Sequence, residues 1–416
     1  MLKDKTDNMI VYIIGFLIII FSGGIWPYFY GKYFEIIYIA VAMVILLVLI
    51  KDYLLDTFKL LIPVGFVIAY LSFELVFYSE SFDGYTYFLR NLILLFLVAL
   101  FLYKKKVSIL TCLTKVLYHY NYICFILYII IFILNINIPH NIVQNSGFNV
   151  NTYTSYMNLS YYHQIVYISD KLFIRNNGIF YEPCYLGMYI SLFLVNELFY
   201  RDKIRLIAVI VACFNLFTTM STTALIFVVA IFLVKFYTLK FDNRLIKLLK
   251  NIFIPIITFA CGVVAIYIYI SKVQGFGKLS YGIRQEDFLL GLKLFKERII
   301  AGWGFDNLNA IIFLESSDLR GNGLGSNWGS SNGLTLLMYQ GGLYFLMVYV
   351  TGIYYYFKDL YLKNKIGSLI LLSWLILFLI SEPIQYNRLI IFFVVYGILI
   401  RYYDVFKNRA EKMYFS

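Results

Sequence analysis

Residues 86–106 read TYFLRNLILLFLVALFLYKKK, and this stretch decides the fold. After Arg90 no charge appears until Lys104, and there three lysines follow in a row. An uncharged apolar helix of about 20 residues spans the hydrocarbon of a bilayer. A basic cluster at one end marks the side that stays in the cytoplasm. The same pattern recurs along the chain. Twelve apolar segments are expected to be helical spans, at residues 9–24, 33–50, 58–78, 86–103, 116–137, 179–199, 206–219, 222–239, 251–270, 334–356, 367–381 and 389–403.

Composition agrees with that reading. The 416 residues are 62% hydrophobic and only 14% charged, and mean hydropathy is +0.78. Such a chain is excluded from the soluble globular class. The expected fold is an all-α integral membrane protein with one polytopic domain over 1–416. The first apolar run follows Lys3, Asp4 and Lys5, like the start of a signal peptide. It lacks a small-residue cleavage site, because Gly23-Gly24 leads into Ile25-Trp26-Pro27, and is expected to be retained as a span.

Alternating the spans from a cytoplasmic N-terminus places 51–59 (KDYLLDTFK), 104–106, 201–205 (RDKIR), 240–250 (KFDNRLIKLLK), 358–365 (KDLYLKNK) and the tail 401–412 on one face. Both termini are therefore expected to be cytoplasmic. The net charge of +12 reflects topology and contact with anionic lipid, and implies no nucleic-acid partner. The five cysteines show no CxxC spacing and the three histidines are dispersed, so neither metal nor cofactor is expected.

Two outer loops are long, 138–178 and 271–333. Long loops on a membrane scaffold commonly carry function. The first is rich in Asn, Tyr and Ser, side chains that suit sugar rings and their hydroxyls. The second contains 281–305, YGIRQEDFLLGLKLFKERIIAGWGF. There Phe288, Leu292, Phe295 and Ile299 recur at helical spacing, predicting an amphipathic interfacial helix stopped by Gly302 and Gly304. Lys293, Lys296, Glu297 and Arg298 suit its wet faces, and Arg284 is expected just ahead of it, unexplained by the helix.

From here the residues resemble a known family. Arg284, then LFKERIIAGWGF, then a polar loop and SNGLTLLMYQGGLYFL entering a span, looks like the second large outer loop of the O-antigen polymerase and ligase superfamily, the Wzy-like proteins. Asn332, Gln340 and Gly342 match the positions that follow that loop in the family. RNNGIFYEPCYLG from Arg175 resembles its earlier Arg-x-x-Gly-x-x-x-Glu-Pro segment, and FTTMSTTALI at 217–226 its small-polar break between two spans. The resemblance covers about half the chain, from Arg175 to the end. Ser331 stands where the ligases carry a histidine, which favours polymerase over ligase.

The resemblance implies a GT-C-like fold and a metal-independent glycosyltransferase with no cofactor. It would transfer a growing glycan (O-antigen, capsule or exopolysaccharide) from a polyprenyl diphosphate carrier to another lipid-linked repeat unit. The implied site is on the outer face of the bacterial cytoplasmic membrane, with a chain-length regulator and a flippase as conceivable partners. A diphosphate leaving group calls for fixed guanidinium groups. Arg175 and Arg284 are the expected diphosphate clamps, with Arg320 and Arg388 also on the outer face. Glu182 is the expected base, and Tyr181 and Asn332 complete the substrate-binding set. Lipid-phosphate anchoring is the plainer role for any exterior arginine, above all Arg320. Glu382 and Arg388 bracket an outer turn and are placed to pair with each other, while Arg90, inside a span, needs a partner. Alternatives are the ligase, a lipid-linked oligosaccharide flippase or exporter, and another membrane glycosyltransferase or acyltransferase using Glu80 and Asp83.

Overall fold

The computed structural model describes residues 5–27, 35–51, 82–144, 152–156, 161–168, 171–239, 278–305, 307–315 and 330–414, with isolated positions 33, 65 and 270. It is mostly helical. Helices α1 (Lys5–Phe21), α2 (35–51), α3 (Phe82–Lys104) and α4 (Ile109–Tyr128, prolonged by a π turn over Ile129–Ile133) come first. After a sheet follow α5 (Pro183–Val195, prolonged by a π turn over Asn196–Tyr200), α6 (Leu206–Thr219) and α7 (Thr222–Thr238). Then come α8 (Lys278–Glu297), α9 (Leu308–Glu315), α10 (Gly333–Lys363), α11 (Lys365–Ser381) and α12 (Arg388–Tyr414). Of the twelve expected segments, 58–78 and 251–270 lie outside the described residues but for positions 65 and 270, and each of the others coincides with a helix.

Two helical segments, Ile109–Ile133 and Gly333–Lys363, are long and apolar enough to cross a membrane. Asn8–Phe21, Leu206–Thr219, Thr222–Thr238 and Lys365–Ser381 are apolar but shorter. Several turn large apolar side chains outward: Leu206, Ile207, Ile210 and Phe217 on α6 and Met347, Val350 and Tyr354 on α10 are all exposed. Apolar faces of this kind suit hydrocarbon surroundings, so the chain associates with a membrane.

Between helices, small residues allow close approach. A Cβ added to Gly397 of α12 would lie 1.8 Å from the Gly352 carbonyl oxygen of α10, so these two helices meet backbone to backbone. Trp374 of α11 is fully buried. Its indole N–H donates to Ser191 Oγ of α5 at 2.9 Å, which locks α11 to α5. Arg90 on α3 finds its partner in Glu35 of α2, at 2.6 Å.

The first long loop is more ordered than its polar composition predicts. It carries four antiparallel strands in the order β1 (His140–Gln144), β2 (Thr152–Tyr156), β3 (Tyr161–Ile168) and β4 (Lys171–Gly178). The β-branched and aromatic residues of YYHQIVYI and KLFI favour strands, and the interspersed Asn and Ser obscured that signal. His163 is buried, stacked on Tyr156 with the edge of Phe132 against it. Burial, then the charge of His140, pushes its pKa down to about 4.

Helix α8 corrects the sequence reading in one respect. Arg284 lies within it, in its second turn, and not ahead of it. The Phe288 and Ile299 side of the apolar stripe is exposed, while Asp287, Gly291 and Leu294 are buried. With Arg284 these recur at three- and four-residue spacing, and Leu294 packs with Leu290 and Phe295 against Ala310, Leu314, Leu336 and Tyr339, so the face turned to the protein mixes polar, small and apolar residues. Gly291 makes this possible: a Cβ there would lie 2.7 Å from Thr335 Cβ of α10.

Candidate functional site

The site is assembled at helix ends, where the last carbonyls and first N–H groups have no partner inside the helix. Strand β4 leads through Gly178, whose φ of +58° turns the chain, into Glu182 at the N-cap of α5 with Pro183 behind it. The turn is fastened to the end of α1: Ile25 N–H donates to the Ile179 carbonyl at 2.8 Å and Tyr181 N–H to the Gly23 carbonyl at 3.1 Å. Helix α6 ends at Thr219, Met220 takes a left-handed conformation (φ +53°), and α7 starts at Thr222. The break expected in FTTMSTTALI is therefore real. It leaves the Thr219 carbonyl to accept from Arg175 Nε at 3.1 Å. Next to it Asn176 Nδ2 donates to Thr218 Oγ1, also at 3.1 Å. Gly187 packs against Ser221 and Ala224, drawing α5 onto the same break.

From the other half of the chain comes Arg284. It donates through Nη1 to the Ser381 carbonyl, the last of α11, and its Nη2 lies 3.1 Å from Glu382 Oε1. Cys184 donates its thiol to Glu182 Oε2 at 3.2 Å. Glu182, Cys184 and Glu382 have donor atoms all within 4.8 Å of one another. Two arginines and two carboxylates, drawn from β4, α5, α8 and the end of α11, thus face each other in one place.

The electrostatics follow from that crowding. Burial raises the Glu182 carboxyl above its ordinary value and the Glu382 charge adds to the rise, while Cys184, Arg284 and Arg175 oppose it. Burial lowers the pKa of Arg175, with Cys184, Glu182 and Glu382 pulling the other way. For Arg284 burial also acts downward, but Glu382, Cys184 and Glu182 together outweigh it and hold the guanidinium above its usual range. Burial, then Glu182, keeps the Tyr181 hydroxyl protonated. The site therefore combines a half-buried carboxyl displaced toward neutrality with two fixed cations. Such a set can take a proton while stabilising an anion. The two carboxylates and the thiol are chemically able to ligate a cation, but Arg284 already occupies Glu382.

No family model matches this chain, and no curated protein is significantly similar to it.

The sequence-derived residues divide as follows. Arg175, Arg284, Glu182 and Tyr181 are brought together. Arg320 lies outside the described residues. Arg388 and Glu382 do not form the expected pair. Arg388 is buried, donates through Nε to Asn91 Oδ1 at 2.9 Å and lies 3.6 Å from the Phe21 ring centre, while Glu382 turns to Arg284. Asn332 is buried and caps α10, accepting from Thr335 N–H at 3.0 Å, so its side chain is spent on the helix start.

Gln340 and Gly342 belong to a backbone clasp. Gly342 interrupts α10 with φ +62°, and the turn after α8 holds Gly302 and Gly304 at φ +71° and +84°. Trp303 N–H donates to the Tyr339 carbonyl at 2.7 Å, Gly304 N–H to the Gln340 carbonyl at 2.9 Å and Leu343 N–H to the Ile299 carbonyl at 2.7 Å. Tyr386 donates its hydroxyl to Gln340 Oε1 at 2.6 Å. Ser331 is held through its N–H by the buried Asp287 at 2.6 Å. Cys184, Asp287 and the Thr219 and Ser381 carbonyls escaped sequence reasoning. The helix breaks that expose those carbonyls were the only signal for them.

Proposed function

We propose that this protein is a polysaccharide repeat-unit polymerase of the cytoplasmic membrane, a metal-independent glycosyltransferase of twelve spans with cytoplasmic termini and its site on the outer face. The observation that carries this reading is the meeting of Arg175 and Arg284 around Glu182, from segments some hundred residues apart in sequence.

In the proposed reaction an acceptor hydroxyl oxygen of one lipid-linked unit bonds to the anomeric carbon of the donor glycan. The bond from that carbon to the polyprenyl diphosphate breaks, and the diphosphate leaves with the electron pair. The hydroxyl proton passes to Glu182. Arg175, anchored through Nε, directs the rest of its planar fork toward the diphosphate, and Arg284 adds the second positive charge. Glu382 keeps Arg284 in place, and the Cys184 thiol orients Glu182.

The glycan profile of a deletion strain tests the reading. Single repeat units accumulating on the carrier are the expected result. Full-length polymer left unattached to its final acceptor would indicate a ligase instead, and unchanged surface glycan would overturn both.

A further inference from the structure

A second site lies at the other end of α5. From Glu182 the helix and its π extension run to Tyr200, roughly 27 Å at 1.5 Å per residue. There a cavity of about 980 Å³ opens between the start of α1, the start of α4 and the 201–205 connection. That volume is at the upper end of the roughly 300–1,000 Å³ usual for ligand sites.

Its lining is cationic and preorganised. Lys115, Arg201, Lys203 and Arg205 contribute, with Asp202 as the lining carboxylate. Behind them Glu197 is completely buried; it accepts from Arg205 at 3.1 and 2.5 Å and lies 3.5 Å from Arg201 Nε. One buried carboxylate thus fixes two guanidiniums, and Arg205 is further seated over the Tyr118 ring at 3.9 Å. Lys115 is held by Asn8 Oδ1 at 3.0 Å. Counting Glu197, four cations face two carboxylates, which leaves the cleft positive. Ser108, which caps α4, lines the same cleft.

The cleft also has an apolar continuation. An open groove of about 510 Å³ runs along α1 past Met9, Ile13 and Phe16, and shares Asn8 and Tyr12 with the cationic cavity. A soluble anion would use the cavity and leave the groove bare. A molecule with a phosphate at one end and an acyl chain at the other would fill both.

We propose that this composite cavity is a binding site for one anionic phospholipid, its phosphodiester set among Lys115, Arg201 and Lys203 and one acyl chain laid along Met9, Ile13 and Phe16. The site rests on the membrane-spanning reading and is independent of the transfer chemistry.

Native mass spectrometry of the full-length protein in detergent tests it, with dioleoyl phosphatidylglycerol or dioleoyl phosphatidylcholine added. The expected result is at least tenfold preferential retention of phosphatidylglycerol. Lys203→Glu, on an exposed connection, should abolish the preference, and Met9→Gln should weaken retention severalfold. Equal retention of the two lipids, or wild-type preference in Lys203→Glu, overturns the site. Displacement of phosphatidylglycerol by glycerol phosphate, with Met9→Gln silent, assigns the cleft to a soluble phosphate and overturns the lipid. A chain that purified without detergent would overturn the membrane reading, whereas lost selectivity in a chain that needs detergent counts against this site alone.

Discussion

Arg284 and Glu382 meet at 3.1 Å across ninety-eight residues of sequence, joining helix α8 to the end of α11. The pair also sets the charge of a third group, because Glu382 raises the Glu182 carboxyl while Arg284 lowers it. Glu382→Gln removes the raising charge and leaves the lowering one. Glu182 should then deprotonate at lower pH, so the acid limb of the polymerisation pH profile moves down. A limb that stays in place or moves up would separate Glu382 from the proton-accepting group.

Arg284→Ala and Arg175→Ala should each lower polymer formation by about 10²–10³-fold, the scale of losing one preorganised donor to a developing anion. Membrane levels of both variants are expected to match wild type. Arg284→Lys keeps the charge but not the fork, and should recover only part of the loss. Wild-type chain lengths in either alanine variant would refute the clamp.

The sheet should respond to acid through His163. Its pKa in the folded protein is about 4, against roughly 6.5 in an unfolded chain. The unfolded form therefore takes the proton first, and stability contributed at neutral pH is lost as pH falls from about 6.5 toward 4. Limited proteolysis within 138–178 should accelerate over that window, and His163→Phe should flatten the response.

Topology can be read by thiol labelling in a background with the native cysteines replaced. A cysteine at Ile142, exposed on β1, should react with an impermeant reagent from outside the cell. A cysteine at Lys203 should react only after permeabilisation. The reverse pattern would invert the protein in the membrane. Ser155 is a poor reporter despite its place in the same expected outer segment, because it is buried in the sheet.

Much of this was legible before any coordinates. Each of the ten apolar segments that fall among the described residues coincides with a helix, and two of these helical segments are long and apolar enough to cross a membrane. Arg175 and Arg284 were singled out through the family resemblance, and Glu182 and Tyr181 by their place beside Arg175 at the mouth of an apolar run. The sheet was hidden by polar residues interleaved with strand formers. Arg284 was placed just ahead of α8 because the apolar periodicity begins only at Phe288, whereas the helix itself begins at Lys278. Arg388 was misassigned since a buried guanidinium seated on Phe21 and beside Asn91 looks, in sequence, like one at a surface.

The clasp between Gly302 and Gly342 is built from backbone atoms. A Cβ on Gly302 would fall 2.4 Å from the Gln340 carbonyl oxygen, and one on Gly342 2.3 Å from that of Ile300. Neither position can take a side chain without parting the two segments, and left-handed strain of about 1–3 kcal/mol adds to the cost. Gly302→Ala should therefore lower the thermal midpoint in detergent and disturb the seating of Arg284, which lies on the helix leading into the turn. Because carbonyls and amides are common to all residues, the joint itself places no demand on the side chains around it. Ile299, Trp303, Tyr339 and Leu343 make these bonds through the main chain and are not specified by them, so the glycines are the trace that the clasp leaves in a sequence.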